Sequence, residues 1–234
     1  LDLVAYEIDP FFQEYLTKSF EQYCTKSKEQ FFSFNILGND FIEDAVNLVS
    51  SGKYQKFTHA ILNPPYKKIH SKSIHRGLLR DIGIEAVNLY SAFLALTIHL
   101  LADGGELVAI IPRSFCNGSY YRSFRECILR NTSIQQIHLF NSRHSAFKED
   151  GVLQENVIIH LVKGGVQKNV TLSFSDDESF SDFSSYSCPF ECVLNMNDRE
   201  VFIRIPFEAS LNEGLQRPFS AKYLLSEIDV EVST

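Results

Sequence analysis

Apolar and polar positions alternate along the first 164 residues in a way that predicts strands and helices in succession. Short apolar runs predict buried strands, and apolar positions that recur every three or four residues predict helices. The predicted strands span 2–7, 31–37, 57–62, 106–111, 134–140 and 155–162. The predicted helices span 10–21, 41–50, 86–102 and 119–130. This order predicts an α/β protein with a mostly parallel sheet that ends in an antiparallel hairpin.

Individual residues mark where two of the helices begin or end. Asp9 and Pro10 suit the N-cap and the first position of the first helix. The run Asp103-Gly104-Gly105 suits the end of the helix over 86–102, because glycine is favoured just after a last helical turn.

The composition changes after Gly164-Gly165. Residues 173–187 are acidic and rich in serine, which predicts an exposed linker. Residues 193–205 predict a hairpin about an Asn-Asp turn, and residues 207–226 predict a helix. We therefore expect a core domain over 1–164, followed by a linker and bridge over 165–234.

The segment Asn63-Pro64-Pro65-Tyr66 lies at the end of the predicted strand over 57–62. Each proline fixes its own φ angle, and Pro65 keeps the residue before it extended, so the Pro64 carbonyl has no local hydrogen-bond partner. Tyr66 offers a ring on which a base can stack, a contact worth about 1–3 kcal/mol. These residues suit a planar ring that carries an amino group. The alternative is a strand that leaves through a Pro-Pro turn, with Tyr66 packed in the core.

The residue types also fit the chemistry of such an amine, which is a weak nucleophile because its lone pair is delocalised into the ring. The side-chain oxygen of Asn63 and the carbonyl of Pro64 can each accept one N–H and so favour a tetrahedral nitrogen. No general base is needed before the new bond forms, since the amine attacks in its neutral form and loses a proton afterwards.

Acidic and aromatic residues follow the two earlier strands. Glu7 lies at the carboxyl end of the strand over 2–7, where an acidic side chain can accept hydrogen bonds from ribose hydroxyls. Asp40 and Phe41 follow the strand over 31–37 and can receive the amine and the ring of an adenine. Asp40 also suits the N-cap of the next helix in a capping-box pattern with Glu43, and both roles stay open.

These motifs and their order resemble the N6-adenine DNA methyltransferases of bacterial restriction–modification systems. The chain is most similar to the subclass in which the cofactor motifs precede NPPY. The similarity covers about residues 1–164 and includes 88–93, 106–112, and Phe147 ahead of 152–159. It implies the Rossmann-like, S-adenosylmethionine-dependent methyltransferase fold, S-adenosylmethionine as the cofactor, and double-stranded DNA with a flipped adenine as the substrate.

The resemblance assigns a role to each motif residue. The catalytic residues would be Asn63, Pro64, Pro65 and Tyr66. The residues that bind the cofactor would be Glu7, Asp40, Phe41 and Pro65. The target adenine would stack on Tyr66 and Phe147.

The family also has segments that have no counterpart in this sequence. It opens with a strand and a glycine-rich loop that receives the methionine part of the cofactor, and the resemblance predicts that this first strand is missing here. Residues 228–234 resemble the family's run into its sequence-reading domain. We therefore expect an internal fragment of a longer enzyme, inactive by itself, with a restriction endonuclease or specificity domain in the same polypeptide or system.

The net charge of the chain limits which part of its surface can contact DNA. A net charge of −7 argues against a broadly cationic surface, so contacts with DNA must be local. The basic residues that follow Tyr66, with no acid before Asp81, are candidates for phosphate binding, and a solvated surface loop is the alternative. These residues are Lys67, Lys68, Lys72, Arg76 and Arg80.

The cysteines and the hydropathy of the chain bear on its cellular compartment and on whether it binds a metal or a membrane. The five cysteines include no Cys-x-x-Cys pair, which fits a reducing cytoplasm. Cys188 and Cys192 have no second pair of ligands nearby, so we expect them to be structural and expect no metal. No apolar run is long enough to span a membrane, so no membrane contact is expected.

Two alternative functions remain beside DNA methylation. Protein-glutamine methyltransferases also carry NPPY, although the basic segment after Tyr66 and the sequence Gln154-Glu155-Asn156 favour the DNA enzymes. The other alternative is a non-catalytic DNA-binding module that lacks the cofactor half.

Overall fold

The structure, a computed structural model, describes residues 1–26, 32–140 and 155–206. Its strands are β1 (Asp2–Tyr6), β2 (Ser33–Leu37), β3 (Phe57–Leu62), β4 (Leu101–Pro112), β5 (Thr132–Phe140), β6 (Asn156–Lys163), β7 (Val170–Ser175) and β8 (Ser184–Cys188). Its helices are α1 (Pro10–Lys26), α2 (Phe41–Ser51), α3 (Ile74–Asp81), α4 (Leu89–Leu100), α5 (Arg122–Asn131) and α6 (Phe190–Val193). Two 3₁₀ turns, Arg113–Cys116 and Ser119–Tyr121, lie between β4 and α5.

The strands form two sheets. β1 and β2 pair in parallel and form a two-stranded sheet. The other strands form a mixed sheet in the order β3-β4-β6-β5-β7-β8, in which β3–β4 and β5–β7 are parallel and the remaining pairs are antiparallel. The α/β class and the antiparallel β5–β6 hairpin therefore agree with the sequence prediction, whereas the larger sheet is mixed rather than mostly parallel, because β4–β6 and β7–β8 are antiparallel as well.

The main core lies between the larger sheet and the helices α4 and α5. Leu107, Ala109 and Ile111 alternate along β4 and are fully buried on this side of the sheet. Val108 lies on the opposite side and is 37% exposed, and Ile61 in β3 is 88% exposed. α2 packs against α4 and so connects the two-stranded sheet to the rest of the molecule.

The end of α4 differs from the prediction. α4 ends at Leu100, and Asp103-Gly104-Gly105 lie inside β4 rather than at a helix C-cap. The pairing of β4 with β3 is irregular here, because Leu101 pairs with Phe57 and Glu106 pairs with His59. A Cβ atom on Gly105 would lie 2.8 Å from the Ala102 carbonyl oxygen, so this irregular backbone requires glycine.

The segment after Tyr66 also differs from the prediction, because part of it is helical. Residues 74–81 form α3, and Ser73 caps the helix by accepting a hydrogen bond from the Arg76 amide at 3.3 Å. Leu79 is fully buried against α2 and α4. The helix is only two turns long, which is why its periodicity is hard to detect among basic residues.

The prediction of an exposed linker over 173–187 is wrong as to the linker, although most of residues 176–187 are exposed as predicted. β7 and β8 fall in this stretch and extend the sheet past residue 164. Ser173 and Ser175 are buried, and their hydroxyls lie 3.0 Å from the two ring nitrogens of the buried His138. Serine composition suggested a linker, although these serines form hydrogen bonds inside the fold.

The stretch over 193–205 forms less of a hairpin than predicted. Leu194 and Ile203 form a single antiparallel bridge, and the Ile203 amide donates to the Cys116 carbonyl at 2.9 Å. The predicted helix over 207–226 lies outside the described residues.

Arg125 fastens this last stretch to the core. Its side chain is fully buried and donates to the carbonyls of Phe115, Gly118 and Glu200 at 2.7–3.1 Å. The guanidinium also lies 5.0 Å from the centre of the Phe202 ring. Burial lowers the pKa of Arg125. A single side chain thus joins α5 to the 3₁₀ turns and to residues 200–202.

Candidate functional site

The candidate residues lie where strands end. Glu7 follows β1, Asp40 closes the short segment after β2, and Asn63 follows β3. Because β1 and β2 are parallel, the segments after them leave the same edge of their sheet, and the Glu7 amide donates to the Leu37 carbonyl at 3.1 Å. Such edges are the usual position of ligands in open α/β sheets.

Glu7 is held by its own backbone and by the start of α1. Its carbonyl accepts a hydrogen bond from the Gln13 side chain at 2.8 Å. One oxygen of its carboxylate, Oε1, accepts from the Asp9 amide at 2.9 Å. Within the described ranges the second carboxylate oxygen has no hydrogen bond, so it can accept one from a ligand.

Asp40 caps α2, as one of its two predicted roles requires. Its Oδ1 atom accepts hydrogen bonds from the amides of Ile42 and Glu43 at 2.9 and 3.1 Å. Its Oδ2 atom lies 3.2 Å from Nε2 of His75, which belongs to α3. The capping role is confirmed, whereas binding of an adenine amine stays a prediction and would have to share Oδ2 with His75.

Phe41 lies in an aromatic group next to this cap. Its ring centre is 5.1 Å from that of Tyr6 and 4.7 Å from that of Phe93. Burial, and then the charge of Asp44, raise the pKa of Tyr6. The group offers apolar ring surface beside the carboxylates of Glu7 and Asp40.

The NPPY segment carries two hydrogen-bond acceptors that have no partner in the part of the chain that the structure describes. Pro64 is buried, whereas Asn63 and Pro65 are exposed and Tyr66 is half-buried. Neither the Asn63 side chain nor the Pro64 carbonyl forms a hydrogen bond with a residue that the structure describes. Tyr66 packs edge-on against Tyr90, with 6.1 Å between the ring centres. Tyr66 thus packs against the core, and its half-buried ring keeps some exposed surface.

α4 connects NPPY to the aromatic group around Phe41. Tyr90 and Phe93 are three residues apart, so they lie on the same face of the helix. Tyr90 contacts Tyr66, and Phe93 contacts Phe41. One helix therefore brings together the segment after β3 and the segment after β2, which the sequence assigns to the base and to the cofactor.

The basic residues after Tyr66 fall into two groups. Arg76 and Arg80 form ion pairs with Glu85 at 3.0 and 2.8 Å, and the hydrogen bond from Arg80 lowers the pKa of Glu85. Lys67, Lys68 and Lys72 are exposed. We therefore expect the three lysines to be more available to phosphates than the two arginines.

A model of the Eco57I restriction-modification methylase family matches residues 8–147, more than half of the 234-residue chain. The chain belongs to this family. Along its whole length this Eco57I-family chain is 50% identical to the Type II methyltransferase M.BsuBI of Bacillus subtilis. The aligned region is 47% of M.BsuBI, so the chain spans about half the length of that relative.

Two solved structures show the fold of the Eco57I-family chain. A modification subunit of a putative type I restriction enzyme from Vibrio vulnificus superposes with a TM-score of 0.61 at 10% identity, over 87% of this chain and 54% of that one. A putative class I S-adenosylmethionine-dependent methyltransferase from Listeria monocytogenes gives a TM-score of 0.52 at 13% identity, over 74% of this chain and 49% of that one. The predicted S-adenosylmethionine-dependent methyltransferase fold is confirmed.

The structure adds residues to the Eco57I-family site that the sequence analysis did not assign. Phe93 falls in the predicted helix over 86–102 without an assigned role, and His75 received no role, yet both contact the predicted cofactor residues. The spacing of Phe93 from Tyr90 was the available signal for the first. The contact between His75 and Asp40 had no signal, because it depends on how α3 packs. Phe147 lies outside the described residues.

Neither of two cavities in the described part of the Eco57I-family chain is lined by a predicted site residue. One, of about 470 Å³, opens between β1 and α2 and includes Tyr6 and Asp44. The other, of about 210 Å³, lies on the exposed side of the larger sheet beside His138 and His160. Within the described ranges no group of histidine, cysteine and acidic side chains is arranged to hold a metal ion. None of the helices in those ranges is both long and apolar enough to cross a membrane.

Proposed function

We propose that this chain is the catalytic part of a DNA methyltransferase that transfers a methyl group from S-adenosylmethionine to N6 of an adenine flipped out of duplex DNA. The observation that carries the proposal is a pair of acceptors, Asn63 Oδ1 and the Pro64 carbonyl, that have no hydrogen bond to any described residue and lie beside the half-buried ring of Tyr66. Membership of the Eco57I restriction-modification methylase family supports DNA as the substrate.

The two acceptors suit the amine of adenine because that amine carries two N–H groups. Each acceptor takes one N–H, which draws the nitrogen toward tetrahedral geometry and localises its lone pair for attack. Pro64 is buried, its ring fixes φ, and Pro65 holds its ψ angle in the extended range, so its carbonyl keeps one direction without a hydrogen bond to a described residue. The ring of Tyr66 holds the base in the plane that both acceptors need.

The residues around Phe41 fit the adenosine half of S-adenosylmethionine. The second carboxylate oxygen of Glu7, which has no hydrogen bond within the described ranges, can accept from the ribose hydroxyls, and the rings of Phe41 and Phe93 offer apolar surface to the adenine. Asp40 Oδ2 can accept from the adenine amine if His75 shares it. Pro65 is exposed directly after Pro64 and would line the cofactor on the NPPY side. When bound, the cofactor supplies an electrophilic methyl group on a sulfonium.

We expect a longer polypeptide to be needed for activity. β1 pairs only with β2, and β3 pairs only with β4, among the described strands, and Ile61 in β3 is almost fully exposed. An apolar side chain in a sheet is normally covered, so this face is suited to packing against further chain. Residues 1–234 alone are therefore expected to bind cofactor weakly and to methylate little or no DNA.

Replacing Glu7 with alanine in the complete gene product is expected to raise the dissociation constant of S-adenosylmethionine. Loss of a hydrogen bond from a neutral hydroxyl to a charged acceptor is worth about 1.5–3 kcal/mol, or roughly tenfold to a hundredfold in affinity. Calorimetric titration with the cofactor measures the change. Affinity for duplex DNA serves as the control and should not change. Unaltered cofactor affinity would exclude Glu7 from the site.

Replacing Tyr66 with alanine is expected to weaken binding of the extruded base by about 1–3 kcal/mol, because the stacking surface is lost. The readout is the fluorescence of 2-aminopurine placed at the target position, which reports whether the base leaves the helix. Tyr66→Phe is the matched control, since it retains the ring and should retain the signal. If Tyr66→Ala gives the wild-type signal, Tyr66 serves packing alone.

The proposed function is tested by supplying the complete gene product with radiolabelled S-adenosylmethionine and one of two substrates. The first is a pool of duplex DNA, and the second is a release-factor peptide with a glutamine acceptor. We expect label only in DNA, at N6 of adenine after digestion to nucleosides. Label in the peptide would identify a protein-glutamine methyltransferase, and absence of label in both would favour a non-catalytic DNA-binding module.

A further inference from the structure

The chain that leaves Tyr66 is fastened to the start of α4. The Leu89 amide donates to the Lys67 carbonyl at 2.8 Å, and the Ile69 amide donates to the Val87 carbonyl at 3.0 Å. Between them, Lys68 and Asn88 form an antiparallel bridge. The backbone on the carboxyl side of Tyr66 therefore cannot move without moving the first residues of α4.

Asn88 uses both ends of its amide at this junction. Its side chain is 3% exposed, and its Oδ1 atom caps α4 by accepting from the Ser91 amide at 3.1 Å. Its Nδ2 atom donates to the hydroxyl oxygen of Tyr121 at 2.9 Å. A serine could replace the first contact, but only a side chain with both an acceptor and a donor of this length can make the two together.

Tyr121 extends this junction behind Tyr66. Its ring is stacked on that of Tyr90, with ring centres 5.8 Å apart and an angle of 29° between the planes. Tyr90, which is almost fully buried, in turn packs edge-on against Tyr66. Burial is the main reason that the pKa of Tyr90 is raised, so this ring stays neutral.

The turn that carries Tyr121 is itself rigid. A Cβ atom on Gly118 would lie 2.7 Å from the Tyr121 ring and 2.8 Å from the Ser114 carbonyl oxygen, so the close approach requires glycine. Arg125 donates to the Gly118 carbonyl at 2.7 Å from the other side. These contacts of the turn therefore hold the Tyr121 hydroxyl in place independently of its hydrogen bond with Asn88.

We propose that Asn88 and Tyr121 are positioning residues for Tyr66, and that the hydrogen bond between them holds the Tyr66 ring in the orientation required for the target base. The inference rests on the proposed function and adds residues that do not touch substrate or cofactor. Two sets of contacts connect this hydrogen bond to Tyr66. One is the backbone pairing of Lys67 and Lys68 with the residues around Asn88, and the other is the ring packing of Tyr121 on Tyr90 and of Tyr90 on Tyr66. Loss of the Asn88–Tyr121 hydrogen bond uncouples them.

The test compares Asn88→Ser, Tyr121→Phe and the double variant in the complete gene product. Asn88→Ser keeps a capping side chain, and Tyr121→Phe keeps the stacked ring, so each removes the hydrogen bond with little other change. We expect each to lower the single-turnover methylation rate about tenfold, with KM for the cofactor and affinity for DNA unchanged. The double variant should lose no more than the worse single variant, because one interaction has been removed.

Tyr54→Phe is the matched control. The Tyr54 hydroxyl donates to the His99 carbonyl at 3.0 Å, near the other end of α4. This variant should lower the melting temperature about as much as Tyr121→Phe and leave the methylation rate unchanged. A rate loss in Tyr54→Phe equal to that in Tyr121→Phe would overturn the proposal, because it would show a general effect of helix stability.

Hydrogen exchange separates failure of this inference from failure of the proposed function. The amides of Ile69 and Leu89 should exchange faster in Asn88→Ser and Tyr121→Phe than in Tyr54→Phe, whether or not the protein methylates DNA. If wild type methylates adenine and the two variants do so at its rate, the positioning role is wrong and the function stands. If wild type methylates nothing, the function is wrong, and unchanged exchange at these amides would then reject the positioning role as well.

Discussion

Replacing Asn63 with alanine in the complete gene product is expected to lower the rate of adenine methylation by about a hundredfold or more, while affinity for duplex DNA stays close to that of wild type. The side-chain oxygen of Asn63 is free of hydrogen bonds within the described residues, so it can accept from the amine without breaking a contact. Its hydrogen bond strengthens as the nitrogen becomes tetrahedral. Its loss therefore slows the reaction more than it weakens binding.

Single-turnover kinetics at saturating DNA and cofactor measure this effect, and a filter-binding or anisotropy assay measures DNA affinity. Asn169→Ala is the matched control, because Asn169 is an exposed asparagine between β6 and β7 with no assigned role. It should react at the wild-type rate. Equal rates for Asn63→Ala and wild type would remove Asn63 from the mechanism and, with it, the main support for the proposed chemistry.

Replacing Arg125 with alanine is expected to destabilise the domain by about 3–4 kcal/mol, since buried acceptors left without a partner are costly at about 1–3 kcal/mol each. The carbonyls of Phe115, Gly118 and Glu200 would each lose the donor that Arg125 supplies, while Gly118 keeps its hydrogen bond from the Tyr121 amide at 3.1 Å. The contact with the Phe202 ring would also be lost. Water can enter the space that the side chain leaves and hydrate some of these carbonyls. The decrease in the free energy of unfolding is therefore smaller than the sum of the individual costs.

Urea unfolding of the complete gene product measures the change, and hydrogen exchange of the β4 and β5 amides assigns it to this domain. Arg122→Ala on the same helix is the control, because Arg122 is half exposed and pairs with Glu126 one turn away. Such a surface pair contributes less than about 1 kcal/mol. If Arg125→Ala and Arg122→Ala lowered the free energy of unfolding equally, the buried hydrogen bonds of Arg125 would contribute no more to stability than a surface ion pair.

The elements that could be predicted are those whose signals are local. β3 has the predicted bounds, and β1, α2, α5 and β6 fall within three residues of prediction, because their apolar periodicity is bounded by strong turn or capping residues. β7 was missed because it contains the polar residues Ser173 and Ser175, which are buried in the fold and hydrogen-bonded to His138. That partner lies on β5, more than thirty residues away, where no local pattern reveals it.

The placement of the candidate residues directly after strands was predictable to a similar extent. The roles assigned to Asn63, Pro64 and Tyr66 stay predictions, which rest on the atoms and rings that these residues carry and on where their strand ends. The contacts of Asp40 with His75 and of Asn88 with Tyr121 depend on how helices and turns pack, so the sequence alone did not contain them. The sequence left the capping role of Asp40 open, and the structure confirms it.

Residues 200–206 are attached to the core at several points. The Ile203 amide is bonded to the Cys116 carbonyl and the Arg204 amide to the Val193 carbonyl, while the Tyr186 hydroxyl contacts the Pro206 carbonyl. The place and the direction in which the chain leaves the described core at residue 206 are consequently fixed by these contacts.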